Sequence, residues 1–561
     1  MPVNMRGAQA VTACALSDNP DAKPWLALAV EVVDVLVPNV WAEDGSCVSG
    51  PHYTSTQADP LMNMVMPLYY AGAMPPVQQK YPRLANFTRL LIDRMTPPEP
   101  RARHTRVLPT LGHTCVEYDC NIGKYALLMN LTDRKLAGEA YWMWKRAGGS
   151  LDGFMDGLYY FNEDFDERQP DCKSVVYPGS TTILRNGFPR EDETYMAIHV
   201  GNHGFDHYDR DIGAFLLYAK GVPLMMDFAS MYQPNCWQSL WHNTLTWDVK
   251  EHTHKTPCPG RENGCFYTVN KLPWYDHQYE PHTLLDREAD SQTKAADGYK
   301  ELGGEMKAQA FSAEADYAQA SMPLIEFTEW PWFDRQEADN PQAWGGFTEF
   351  RRQRLTRAYE WQRRYLFVKD ADRQGPNYFL IADDLDGQAE LAPQANFWCL
   401  ADSQQITGDL VRWRGQYSVD LDLYVAWPKK PQIGSREWWH TNRGPAGADF
   451  KGGREYQIAA HVKNAPGNGG FTVVLYPRGR YEVQPTYTSS KDGKAITVTI
   501  GARTDQLFCS RQPLTAKVGG VEFDGTVGLA KLHPDYTALV LCAPGAIRSE
   551  EHTSELQSHS D

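Results

Sequence analysis

The sequence predicts an α+β multidomain chain: N-terminal helical hairpins forming part of an α/α solenoid or toroid, followed by antiparallel β-sandwich domains. Three observations predict it: the length, a helical apolar period in the first third, and a switch to strand-like patterning near Val175. At 561 residues the chain exceeds what one hydrophobic core organises, so two or three domains are expected. Between residues 23 and 36, Trp25, Leu26, Leu28, Val32, Val33 and Leu36 fall at helix-compatible intervals. Residues 59–73, 82–95, 121–131 and 133–147 repeat that character, separated by connectors such as Pro97-Pro98-Glu99-Pro100. Short strands broken by Gly and Asn are then expected at 181–185, 193–200, 214–219 and 223–227. Others follow at 365–368, 378–383, 421–425 and 471–476, and a last layer at 494–500 and 538–542. The expected division is 1–165 helical, 166–430 a central sandwich and 431–547 a C-terminal β layer, with 336–346 a long loop.

Composition narrows the partner. The net charge of −15 argues against nucleic acid and anionic membranes. The 17 Trp and 29 Tyr suit stacking on sugar rings, and equally suit large sandwich cores. A polyanionic ligand would need a local basic patch. Arg351, Arg352, Arg354, Arg357, Arg363 and Arg364 either supply it or alternate along a strand and solvate its outer face. The eleven Cys show no CxxC pair or zinc-finger spacing; Cys115 with Cys120, or Cys258 with Cys265, are the near neighbours. No apolar run approaches a membrane span, and MPVNMRGAQA lacks the pattern of an export signal. The final RSEEHTSELQSHSD, residues 548–561, resembles a translated sequencing adapter, as in an assembled environmental (metagenome) sequence, and is set aside as a non-native tail. Helical patterning starts almost at Met1, so earlier helices are expected to be missing.

Residues 202–248 are the richest in chemistry. His207, Asp209 and Asp211 alternate on the approach to Gly213-Ala214-Phe215, Asp227 ends the next strand, and His242-Asn243-Thr244 opens another. Sandwich cores avoid such groups unless they are satisfied or functional. Asp209, Asp227 and His242 would hold one Zn²⁺-like cation through mixed O and N ligands, or would form a buried hydrogen-bond network.

The pattern H-x-x-x-D-x-G-x-F, then G-x-P-L-x-x-D, then H-N-T-L-x-W-D resembles the heparinase II/III-like family of polysaccharide lyases. The resemblance runs from Asn4 to about residue 545 and is strongest over 199–248. It implies an α/α toroid plus antiparallel β-sandwiches, β-elimination on 4-linked uronic-acid glycans, and a bacterial periplasmic or secreted location. His207 takes the place of the catalytic His, and Asp227 and His242 take metal-ligand positions. Members often carry His where this chain has Asp209. Trp41-Ala-Glu-Asp-Gly-Ser through Gly50-Pro51-His52-Tyr53 resembles the D-G-…-E-G-x-x-Y turn that bears the catalytic Tyr, with Ser49 near the place of its Glu. Asn4 resembles the Asn that opens a helix and binds the substrate carboxylate. His203, His52, Arg210 and Trp241 are expected substrate contacts. The implied partner is an acidic polysaccharide. The implied cofactor is a single structural divalent cation, Zn first and Ca or Mn next, with no organic cofactor.

These residue types fit the chemistry. Removing the C5 proton beside an ionised carboxylate builds further negative charge, which an amide such as Asn4 stabilises by hydrogen bonding. Neutral His is a base near neutral pH and Tyr a proton donor, so His207 and Tyr53 share the two proton transfers. A uronyl C5-epimerase would use the same abstraction. A non-catalytic glycan-binding protein would keep the groove and lose the chemistry.

Overall fold

The computed structural model describes residues 2–47, 51–112, 114, 122–149, 165–200, 211–227, 239–247, 256–257, 266–267, 304–327, 355–386, 392–441, 454–467, 469–543 and 545–549; for some, among them 2–8 and 51–60, it describes the backbone alone. Among them the first 149 residues are helical. Helices run over α1 (Pro2–Ala15), α2 (Lys23–Val40), α3 (Pro51–Tyr70), the short α4 (Val77–Lys80), α5 (Arg83–Arg94), α6 (Ile122–Asn130) and α7 (Arg134–Arg146). Local chemistry fixes their ends. Asp133 caps α7 by accepting from Leu136 N at 2.9 Å, and Lys145 and Arg146 sit in its last turn, where the helix dipole favours cations. Val33, Val37, Leu61, Val65, Leu84, Leu91, Leu128 and Met143 meet in one apolar core.

The rest is antiparallel sheet. Val175–Tyr177, Thr181–Asn186, Thr194–His199, Phe215–Ala219 and Val222–Met225 form a five-stranded meander in chain order. An eight-stranded sheet runs Ala401–Thr407, Leu410–Gly415, Val419–Trp427, Phe471–Gly479, Tyr378–Asp386, Leu355–Val368, Ala315–Phe327, Glu305–Phe311. Gln432–Thr441, Arg454–Lys463, Pro393–Cys399 and Leu245–Trp247 make a four-stranded sheet. Thr486–Ser489, Ala495–Ile500, Arg503–Val518, Val521–Leu532 and Thr537–Leu541 make the last one. The strands between residues 432 and 479 thus belong to the two middle sheets, and the last sheet begins at Thr486.

The period of two along a strand builds the layers. In Tyr378–Asp386, Phe379 and Ile381 join a core with Met196, Phe215 and Leu217 of the meander and Phe397, Ala460 and Val462 of the four-stranded sheet. Tyr378, Leu380 and Ala382 point the other way, into a core with Ile496, Val498, Leu507 and Leu529 of the last sheet. The eight-stranded sheet is therefore a middle layer buried on both faces.

Two expectations need correction here. Arg363 and Arg364 neither form a basic patch nor solvate a face: both are buried and paired, with Asp383 and Asp384. The side chains of the other four arginines, and residues 336–346, lie outside the described residues. Arg548 and Ser549, set aside as tail, complete a strand, Gly545–Ser549, against Val521–Leu532, whose open edge offers unpaired backbone groups. Residues 550–561 lie outside the described residues, as do Cys115, Cys120, Cys258 and Cys265.

A buried polar seam joins the helical part to the meander. Glu193 pairs with Arg106 at 2.6 Å and Arg185 at 3.4 Å. Tyr195 Oη donates to Arg94 O at 2.5 Å, and Tyr218 Oη to Glu99 Oε2 at 2.7 Å. Tyr177 Oη donates to Asp93, itself paired with Arg89. Each buried charge has an opposite partner, which makes the seam tolerable in a low dielectric.

Candidate functional site

The site is built around one glycine. Strand Thr194–His199 and strand Phe215–Ala219 approach each other, with His199 N donating to Ala214 O and Gly213 N to His199 O, both 2.8 Å. Gly213 sits at φ +72°, and a Cβ there would meet Trp361 Cη2 at 2.5 Å. Only glycine fits that turn. The turn directs Asp211 inward, where its Oδ2 accepts from Gly112 N at 2.6 Å and its Oδ1 lies 3.6 Å from His199 Nε2.

Asp227 follows the strand Val222–Met225, and His242 follows the 3₁₀ turn Ser239–Trp241. His242 Nδ1 lies 2.8 Å from each carboxylate oxygen of Asp227. One ligand atom from each of Asp211, Asp227 and His242 lies within 4.8 Å of the others, and all three residues are buried. Two carboxylates and an imidazole are a divalent-cation donor set. Burying two carboxylates demands compensation by a cation or by hydrogen bonds. Burial, Arg94 and His242 hold the pKa of the nearby His199 down at about 3, which favours its neutral form. The residues present fit a bound cation.

The segment after His242 is clamped from three sides. Asn243 Nδ2 donates to Phe215 O at 2.9 Å in the meander, while its Oδ1 accepts from Trp398 N at 2.6 Å in the four-stranded sheet. Thr244 Oγ1 donates to Ile212 O at 2.6 Å. Beneath, Arg363 Nη1 donates to Gly213 O at 2.7 Å and Asn243 O at 3.2 Å.

Of the residues expected from sequence, Asp227 and His242 come together, and Asp211 stands with them. Asp209, His203, His207 and Arg210 lie outside the described residues. Asn4 lies in α1, and His52 and Tyr53 in the first turn of α3, where the backbone alone is described. Trp241 is a correction: it is 1% exposed, stacked on Trp398 at 5.5 Å, with the Arg436 guanidinium 5.7 Å from its ring centroid. A ring so enclosed is core and has no free face for a sugar. Sequence reasoning placed Arg363 in a basic patch or on a solvated strand face and gave Asn243 no role; the structure sets both against the turn at Gly213. The spacing D-x-G-x-F carried the signal for Asp211, since a glycine forced into positive φ fixes what precedes it.

No protein-family profile and no curated protein sequence matches the chain. Solved structures do match in shape. The crystal structure of heparan sulfate lyase HepC from Pedobacter heparinus aligns with TM-score 0.57 and 13% identity, covering 90% of this chain and 65% of that one. A heparinase III gene product aligns with TM-score 0.55 and 12% identity over 97% of this chain and 65% of its own. A further crystal structure of heparinase III gives 0.54 and 11%, covering 96% and 66%. The chain thus spans about two thirds of the length of the structures it resembles. At such identities the likeness is one of fold: this chain is similar in fold to heparinase III over about two thirds of that protein's length.

Proposed function

We propose that the protein is a polysaccharide lyase that cleaves 4-linked uronic-acid glycans by β-elimination, at a groove between the helical part, a portion of an α/α toroid, and the sheets. The observation that carries this reading is a coincidence of motif and fold. The residues Asp211, Gly213, Phe215, Asp227 and His242, quoted above for the lyase resemblance, converge on one buried junction in a chain folded like heparan sulfate lyases.

In the proposed reaction a base takes the C5 proton, the electrons form the C4–C5 double bond, and the 4-O-linked sugar leaves with a proton from an acid. His207 and Tyr53 share these roles, their assignment set by whether C5–H faces one or the other in the D-glucurono or L-idurono sugar. Asn4 donates to the substrate carboxylate as charge builds, an interaction worth about 2.7–4 kcal/mol in comparable oxyanion sites. His203, His52 and Arg210 are proposed substrate contacts. A divalent cation, Zn²⁺ first, is proposed at Asp211, Asp227 and His242, with Asp209 as a further donor; bound there it offsets buried negative charge and holds the turns together.

The test is a panel of uronic-acid polymers (heparan, chondroitin, alginate, glucuronan and ulvan types), read by the ultraviolet absorbance of the unsaturated uronate, with and without chelator. At least one polymer is expected to give product. Incorporation of solvent deuterium at C5 without absorbance would instead identify an epimerase. Binding without either would identify a non-catalytic glycan-binding protein.

A further inference from the structure

Arg363 is a charged side chain in the interior, 1% exposed. It pairs side-on with Asp383, Nε to Oδ1 at 2.6 Å and Nη2 to Oδ2 at 3.0 Å, and Trp361 Nε1 donates to the same Oδ1 at 2.7 Å. Those bonds neutralise the guanidinium and lock its plane, leaving Nη1 turned away from the pair. Nη1 donates to Gly213 O at 2.7 Å and Asn243 O at 3.2 Å. Gly213 lies two residues after Asp211, and Asn243 lies one after His242. One nitrogen therefore ties together two chain segments 30 residues apart, each delivering one of the proposed cation ligands. Tyr365 Oη adds a second donor to Gly213 O at 3.2 Å.

We infer that Arg363 is a positioning residue for the cation site, setting the distance between Asp211 and His242 through the carbonyls of Gly213 and Asn243. The inference rests on the cation reading proposed above. Core packing alone does not require this chemistry, since an apolar side chain of similar volume usually replaces a buried ion pair at little cost. A planar fork that grips Asp383 with one edge and two carbonyls with the other is specific to Arg, and a lysine ammonium cannot span both.

The test is Zn²⁺ titration, by calorimetry, of the full chain stripped with chelator, in parallel with thermal unfolding of the stripped protein. Arg363→Lys is expected to weaken Zn²⁺ binding by about tenfold or more, as outer partners of metal ligands do. Arg503→Lys, which disrupts another buried pair, with Asp505 in the last sheet, is the control for general destabilisation. It is expected to leave affinity within about twofold, distant sites being independent. Should Arg363→Lys not fold, Tyr365→Phe decides, with an expected loss of about fivefold, the size of one neutral hydrogen bond. Wild-type affinity in the variant that decides overturns the inference while the cation reading stands. A wild-type protein that takes up no Zn²⁺ overturns both.

Discussion

Gly213 shows how much one residue decides. Its positive φ and its contact with Trp361 leave no room for a side chain. Gly213→Ala should cost about 1–3 kcal/mol in backbone strain before the clash is added. A urea-denaturation midpoint unchanged from wild type would show that the turn relaxes freely. Asp227 faces His242 across a pair of 2.8 Å contacts, so removing charge there should be felt by any bound cation. Chelator is expected to lower the melting temperature of the wild type and to have little effect on Asp227→Asn. Equal chelator sensitivity in both proteins would place the cation elsewhere. Asp227 and His242 were legible in the sequence because their strand ends are punctuated by Gly, Pro and Asn. The burial of Trp241 was not, since it depends on Trp398, 157 positions away, arriving on a strand of another sheet.

Among elements, the seam between helices and meander carries the clearest energetic consequence. Glu193 is fully buried between Arg106 and Arg185. Glu193→Gln should destabilise by about 3–5 kcal/mol, the cost of stranding buried charge. A loss below 1 kcal/mol, on the order of a surface pair, would mean the seam is hydrated. Glu99 gives the pH dependence. Burial pushes its carboxyl up, but Arg101 and the Tyr218 hydroxyl outweigh burial and hold it below the ordinary glutamate range. A depressed folded value means the stabilisation is present at neutral pH and disappears as pH falls through that value. Wild type should therefore lose stability more steeply than Glu99→Gln as pH falls below about 5; parallel acid limbs would contradict this. The helices were readable as elements because their apolar spacing is regular: the expected 133–147 is the observed α7, Arg134–Arg146. The strands Glu305–Phe311 and Ala315–Phe327 were not. EMKAQAF and ADYAQAS are rich in Ala and Gln, so pairing in the sheet, Glu305–Phe311 with Ala315–Phe327 and the latter with Leu355–Val368, overrides their local preference.

For the whole molecule, the sequence announced helices followed by antiparallel sheets. The stacking of three sheet layers was beyond it. In Tyr378–Asp386 the run from Tyr378 to Ala382 is apolar throughout because it feeds two cores, and which residues face which core is settled only by its neighbours. The Arg-rich strand Leu355–Val368 misled for the same reason: Arg363 and Arg364 find carboxylates on the adjoining strand. In the proposed function, Tyr53 and His207 carry the proton transfers on one uronate. The most direct measurement compares the rate of unsaturated-product formation by wild type and Tyr53→Phe on whichever polymer the wild type cleaves. A fall of about 10²–10⁴-fold in kcat, with glycan binding retained, is the expected result. A Tyr53→Phe protein as fast as the wild type would contradict the account.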